Sequence, residues 1–157
     1  MSSNLAKKLF TGTGSKEITD RLPGFEIGNY VVEVKKLLAF ETKMHGSALI
    51  GEFKVVESDN PGIRVGSERS WYRSMNGLSA GPSTDLLYQL AFACEGLDRS
   101  DLNQEEKTGA SKAIEVKLVE WADDLYKGSK VRIRVEDEAG KGKHEGKTFQ
   151  KFYFTAV

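Results

Sequence analysis

Tyr30-Val-Val-Glu-Val-Lys-Lys-Leu-Leu-Ala-Phe40 decides the fold. Tyr30, Val32, Val34, Leu38 and Phe40 recur at period two, while Glu33, Lys35 and Glu41 take the other face. That is the pattern of a strand buried on one side, and Lys36 interrupts its inner row. Lys43-Met-His-Gly-Ser47 then reads as a hairpin turn in which Gly46 can take a positive φ. A second strand is expected from Ala48 to Glu57, with Leu49, Phe53 and Val55 facing one way and Glu52 and Lys54 the other. Ser58-Asp-Asn-Pro-Gly62 carries dense turn chemistry. A third strand is expected from Val65 to Met75. Ser67, Glu68, Arg69, Ser70, Arg73 and Ser74 surround Trp71 and Tyr72 there, so neither face is cleanly apolar.

A helical block follows. Ser83 or Thr84 is the expected cap of a helix whose stripe is Leu86, Leu87, Leu90, Ala91 and Cys94, and Gly96 is its stop. Ser100-Asp-Leu-Asn-Gln-Glu-Glu reads as a short turn of helix on the surface. Ile114, Leu118, Trp121, Ala122 and Leu125 form a second helical stripe, although Ile114, Val116 and Leu118 also alternate as a strand would. After Gly128, Val131, Ile133 and Val135 alternate with Lys130, Arg132 and Arg134, giving a strand with one apolar and one basic face. Glu136 to Gly146 is expected as a hairpin loop, long for its kind. The last strand, Lys147 to Val157, points Phe152 and Phe154 one way and Phe149, Lys151 and Tyr153 the other.

Three strands, helices, then two strands is the order of a five-stranded OB-type Greek-key barrel, mainly β, with helices between strands three and four. A generic α+β domain with an antiparallel sheet is the alternative. Residues 25–157 form the expected single domain. Residues 1–24, with Thr11-Gly-Thr-Gly-Ser15, read as a flexible arm.

Composition narrows the function. The chain has 157 residues, 23 basic and 23 acidic side chains and no net charge, so bulk charge does not hold it to nucleic acid. The charges are unevenly spread: residues 95–124 are acid-rich, and residues 127–157 carry Lys127, Lys130, Arg132, Arg134, Lys141, Lys143, Lys147 and Lys151. No apolar run is long enough for a membrane span, and the N-terminus MSSNLAKKLF has no apolar signal region. The single cysteine, Cys94, reads as helix packing in a cytoplasmic protein.

Catalytic patterns are missing. His45 and His144 sit in separate expected loops, no zinc-ligand spacing is present, and neither a metal nor a cofactor is expected. Gly146-Lys147-Thr148 ends like a phosphate-binding P-loop, but the motif's first glycine would fall at position 141, which is Lys141. A strand follows it rather than a helix, so no enzyme activity is expected.

What the chain does supply is cations interleaved with rings, the chemistry that holds phosphates and stacks bases of a single strand. The third strand offers Arg69, Trp71, Tyr72 and Arg73, with Lys54 on its neighbour. The last hairpin offers Arg132, Arg134, Phe149, Lys151 and Tyr153, with Lys141 and Lys143 in its loop. Alternation puts one of Trp71 and Tyr72 inward. Trp71, sharing a face with Arg69 and Arg73, is expected to be the ring that meets the ligand. Trp121 and Phe92 lie on helical stripes and are expected in the core.

Gly28-Asn-Tyr-Val-Val-Glu-Val34, Thr42 with His45-Gly46, Phe53-Lys-Val-Val56 and Val65-Gly-Ser-Glu-Arg-Ser-Trp71 resemble the opening of bacteriophage-encoded OB-fold single-stranded-DNA-binding proteins. Lys127-Gly-Ser-Lys-Val-Arg-Ile-Arg-Val135 and Gly146-Lys-Thr-Phe149 are similar to their ending. The resemblance spans residues 25–157 and rests on spacing and strand texture. It implies sequence-tolerant binding of single-stranded DNA in replication or recombination, in the host cytoplasm, beside replication or recombination proteins. Many members end in an acidic tail that recruits partners, whereas this chain ends Phe154-Thr-Ala-Val157. The alternative function is a protein-interaction or phage structural adaptor on a β-barrel that binds no nucleic acid.

Overall fold

The computed structural model describes residues 22–42, 46–77, 80–121, 124–139 and 148–157. Among these residues the structure is mainly β, with one five-stranded antiparallel sheet and two α-helices. The strands are β1 (Gly28–Thr42), β2 (Gly46–Ser58), β3 (Glu68–Ser74), β4 (Lys130–Ala139) and β5 (Thr148–Ala156). Between β3 and β4 the chain forms α1 (Ala80–Cys94), a 3-10 turn (Arg99–Asp101) and α2 (Gln104–Glu120). The sheet order is β3-β2-β1-β4-β5.

β1 organises that order. It pairs with β2 from Tyr30 opposite Ser58 to Thr42 opposite Gly46, whereas β4 covers it only from Gly28 to Glu33. Its register shifts at Val31/Val32 and again at Val34/Lys36. A bulge inserts an extra residue, bends the strand and turns later side chains over. The second shift corrects the alternation expected from sequence: Leu37 and Ala39, not Leu38, continue the buried row of Tyr30, Val32 and Val34. Leu38 instead joins Ala48 and Ile50 in a small cluster on the other, outer face. Past the shift β1 has lost β4, and a carbonyl there needs another donor. The Trp121 indole supplies it, donating from Nε1 to the Leu37 carbonyl at 3.1 Å.

The core lies between the inner face of the sheet and the helices. Phe53, Val55, Trp71, Val131, Ile133, Val135 and Phe154 come from the strands, and Leu87, Leu90, Phe92, Ile114 and Leu118 from the helices. α1 begins at Ala80, earlier than the expected Ser83 or Thr84. Those two hydroxyls are buried and donate instead to the Ser74 and Ala80 carbonyls. The end of α1 is as expected: Gly96, at φ 73°, takes the left-handed position, and the amides of Gly96 and Leu97 close on Ala93 and Phe92. Asn103 and Glu106 form a reciprocal capping box, so the polar stretch expected as a short turn of helix holds part of the 3-10 turn and then the start of the longer α2. Val116, 58% exposed between buried Ile114 and Leu118, decides the 114–118 ambiguity for helix, since a strand would bury all three together. Cys94 packs half-buried against the core, and burial, with Glu95 beside it, pushes its thiol up to about 12.

The two sheet edges approach each other. Trp71 of β3 and Phe154 of β5 meet edge to face with centroids 5.2 Å apart. Residues 22–25, the first three of them expected in the arm, occupy the seam. The Ser70 amide donates to the Pro23 carbonyl and its hydroxyl to the Leu22 carbonyl, while Gln150 Nε2 donates to the Phe25 carbonyl. Phe25 is buried and its ring contacts Tyr30, Phe53 and Phe152. β4 continues to Ala139, so Glu136, Asp137 and Glu138, expected in the hairpin loop, are strand residues.

Candidate nucleic-acid interface

The inner face of β3 overturns the central site expectation. Trp71 is 1% exposed, and its ring lies against Phe154 rather than solvent. Arg69 and Arg73 share that face, as alternation requires, but neither is offered to a ligand. Arg69 Nη1 donates to the Gly24 carbonyl at 3.3 Å. Arg73 is half-buried and donates from Nε to Ser83 Oγ at 3.4 Å, and burial lowers its pKa. The physical reason is the approach of the two sheet edges. With the β5 edge and the 22–25 segment folded over it, the inner side of an edge strand becomes interior, and polar neighbours there bond to backbone and hydroxyl oxygens.

Tyr72, 36% exposed, is therefore the outward ring of β3. It lies opposite Ile50, which lies opposite Leu38, so an apolar row crosses the outer face. The next rows are charged. Lys54 is exposed and stands opposite Glu68 of β3 and Glu33 of β1, which in turn stands opposite Lys130 of β4. That alternation of sign is favourable across strands and leaves no net basic stripe.

The second expected group does gather. Val131, Ile133 and Val135 point inward, so Arg132, Arg134 and Glu136 point outward, opposite Thr155, Tyr153 and Lys151. The Arg134 guanidinium lies 4.2 Å from the Tyr153 ring centroid and Lys151 Nζ lies 5.3 Å from it. Such cation–ring contacts add modest attraction and hold the ring in place. Arg134 also pairs with Glu136 at 3.1 Å. The Tyr153 hydroxyl, followed by Glu138, raises the Lys151 pKa and keeps it cationic. Phe149 is placed in β5 opposite Glu138. Lys141, Lys143, His45 and His144 lie outside the described residues.

Beside Tyr153 the outer face carries a concavity of about 540 Å³ where β1, β4, β5 and the end of β2 meet. Arg132, Arg134, Tyr153, Asn29, Glu57 and Asp59 line it, with others. Asn29 fixes Asp59: its amide donates to Oδ1 at 2.7 Å and its Nδ2 to Oδ2 at 2.8 Å. These bonds hold the exposed Asp59 carboxyl below its ordinary range. Sequence reasoning missed Asn29, Glu57 and Asp59. The only signal was a turn-rich loop, and nothing in the chain showed that β1 carries Asn29 up to it.

Among the described residues no helix is long and apolar enough to cross a membrane, and no group of His, Cys, Asp and Glu could hold a metal ion. No protein-family model matches the chain, and no curated protein matches it in sequence.

Proposed function

We propose that the chain is an OB-type Greek-key barrel that binds single-stranded DNA without sequence-specific contacts along most of the strand. The strand order β3-β2-β1-β4-β5, the long bent β1 shared by both halves, and the contact of Trp71 with Phe154 across the seam support the barrel. One observation carries the binding reading. Rings and cations from distant parts of the chain share the outer face of one sheet: Tyr72 and Lys54 toward one edge, Arg132, Arg134, Lys151 and Tyr153 toward the other. Bases stack on the rings, and phosphates meet the cations.

The binding residues are then Tyr153, Arg132, Arg134, Lys151, Tyr72 and Lys54. Trp71, Arg69 and Arg73 serve the fold. The role is accessory to replication or recombination, without catalysis. Fluorescence anisotropy of labelled oligo-dT tests it. Replacing both Arg132 and Lys151 with Ala should weaken binding clearly while leaving the melting temperature unchanged. Unaltered binding would remove the β4–β5 face from the site. The alternative, a protein-interaction adaptor, draws support from the alternating Lys130, Glu33, Lys54 and Glu68 row, which suits a mixed-charge protein partner. Wild-type protein that ignores oligo-dT at low salt would favour that reading.

A further inference from the structure

The concavity beside Tyr153 carries more than general affinity. A carboxylate accepts hydrogen bonds and donates none once ionised. Asp59 is held in that state by Asn29, and Glu57 reaches the same concavity from the end of β2. Carboxylates repel phosphates, so a surface built only to track a backbone has no use for two of them. Arg132 and Arg134, also in the lining, suit a phosphate, and the Arg134 guanidinium, 4.2 Å from the Tyr153 ring centroid, makes with that ring a planar cation–aromatic pair against which a base can stack. The lining therefore asks for a ligand with an anionic end, a flat ring and an edge of N–H donors. A nucleotide has all three. Among the bases, guanine presents two adjacent donors, N1–H and the 2-amino group, spaced to meet both oxygens of one carboxylate. Adenine and cytosine present one amino group, and thymine a single ring N–H.

We infer that this concavity is a base-reading subsite that prefers guanine, its edge held by Asp59 or Glu57, its ring by Tyr153 and its phosphate by Arg132 or Arg134. This rests on the single-stranded-DNA reading for its place along a bound strand, with the remaining bases still held without preference.

Two measurements separate the two claims. In the first, dGMP, dAMP, dCMP and dTMP are titrated separately while the backbone amide resonances of Asn29, Asp59 and Arg134 are followed by NMR. dGMP is expected to shift them with about tenfold higher affinity than the other three, the discrimination of one good bidentate contact. Glu57→Gln and Asp59→Asn are then compared. At least one should bring dGMP to the level of dAMP, and Glu57→Gln alters an exposed strand side chain without disturbing the Asn29 contacts. In the second, oligo-dT is compared with the same oligonucleotide carrying one central guanine, which should bind about tenfold tighter to the wild type. Equal affinity for dGMP and dAMP, no resonance shift at these residues, or a guanine preference that survives both substitutions would overturn the subsite. Binding of oligo-dT itself is read separately. Its absence would sink the single-stranded-DNA reading even with dGMP bound at the concavity.

Discussion

Replacing Trp71 with Ala removes a ring buried against Phe154 in the core. The expected cost is about 3–5 kcal/mol of stability, measured by chemical denaturation. Tyr153→Ala should do the reverse: stability within about 0.5 kcal/mol of wild type, and oligo-dT affinity weaker by about 1–3 kcal/mol. If Trp71→Ala melts like the parent, the inner face of β3 is misassigned. The Asn29–Asp59 contact adds a pH signature. A carboxyl whose pKa is lower folded than unfolded stabilises the fold above its unfolded value, near pH 4, and loses that contribution as pH falls through the folded value. Asp59→Asn should therefore flatten the acid limb of stability below about pH 4. An acid limb unchanged in the variant would show that other carboxyls set it.

Among the elements, β1 and β2 are held by close packing at Gly51. A Cβ added there would lie 2.8 Å from the Phe53 ring and 3.2 Å from Leu37 Cδ2. Both neighbours are buried, so Gly51→Ala should destabilise by about 1–3 kcal/mol, the usual range for overpacking. A thermal melt unchanged by this variant would show that the ring can move aside. Strand existence was legible wherever an apolar face alternated cleanly, as in Leu49, Phe53 and Val55 or Val131, Ile133 and Val135. The row on β1 failed after Lys36, because a bulge reverses alternation and leaves only an out-of-place lysine as its sign. Ser100 to Glu106 was legible as a short turn of helix but not as the start of a helix running to Glu120: Asn103 and Glu106 are as polar as a loop, and their reciprocal bonding appears only once the backbone turns. On β3, adjacent rings guaranteed that one faces inward. Which one depended on β5 and residues 22–25 lying against Arg69 and Trp71, contacts between segments distant in sequence that local pattern does not encode.

For the whole molecule, the zero net charge and the mixed outer face make electrostatics a local matter. The charge-balanced row through Lys54 contributes little to phosphate attraction, and the β4–β5 face contributes most. Binding should therefore depend on salt, but less steeply than for a strongly basic protein. The decisive measurement is the affinity of the wild-type protein for labelled oligo-dT across a range of salt concentrations. The account predicts saturable binding whose log affinity falls linearly with log salt, with a slope of about −1.4 to −2.1 for two or three neutralised phosphates on a single strand. No binding at low salt, or an affinity flat across the range, would contradict it.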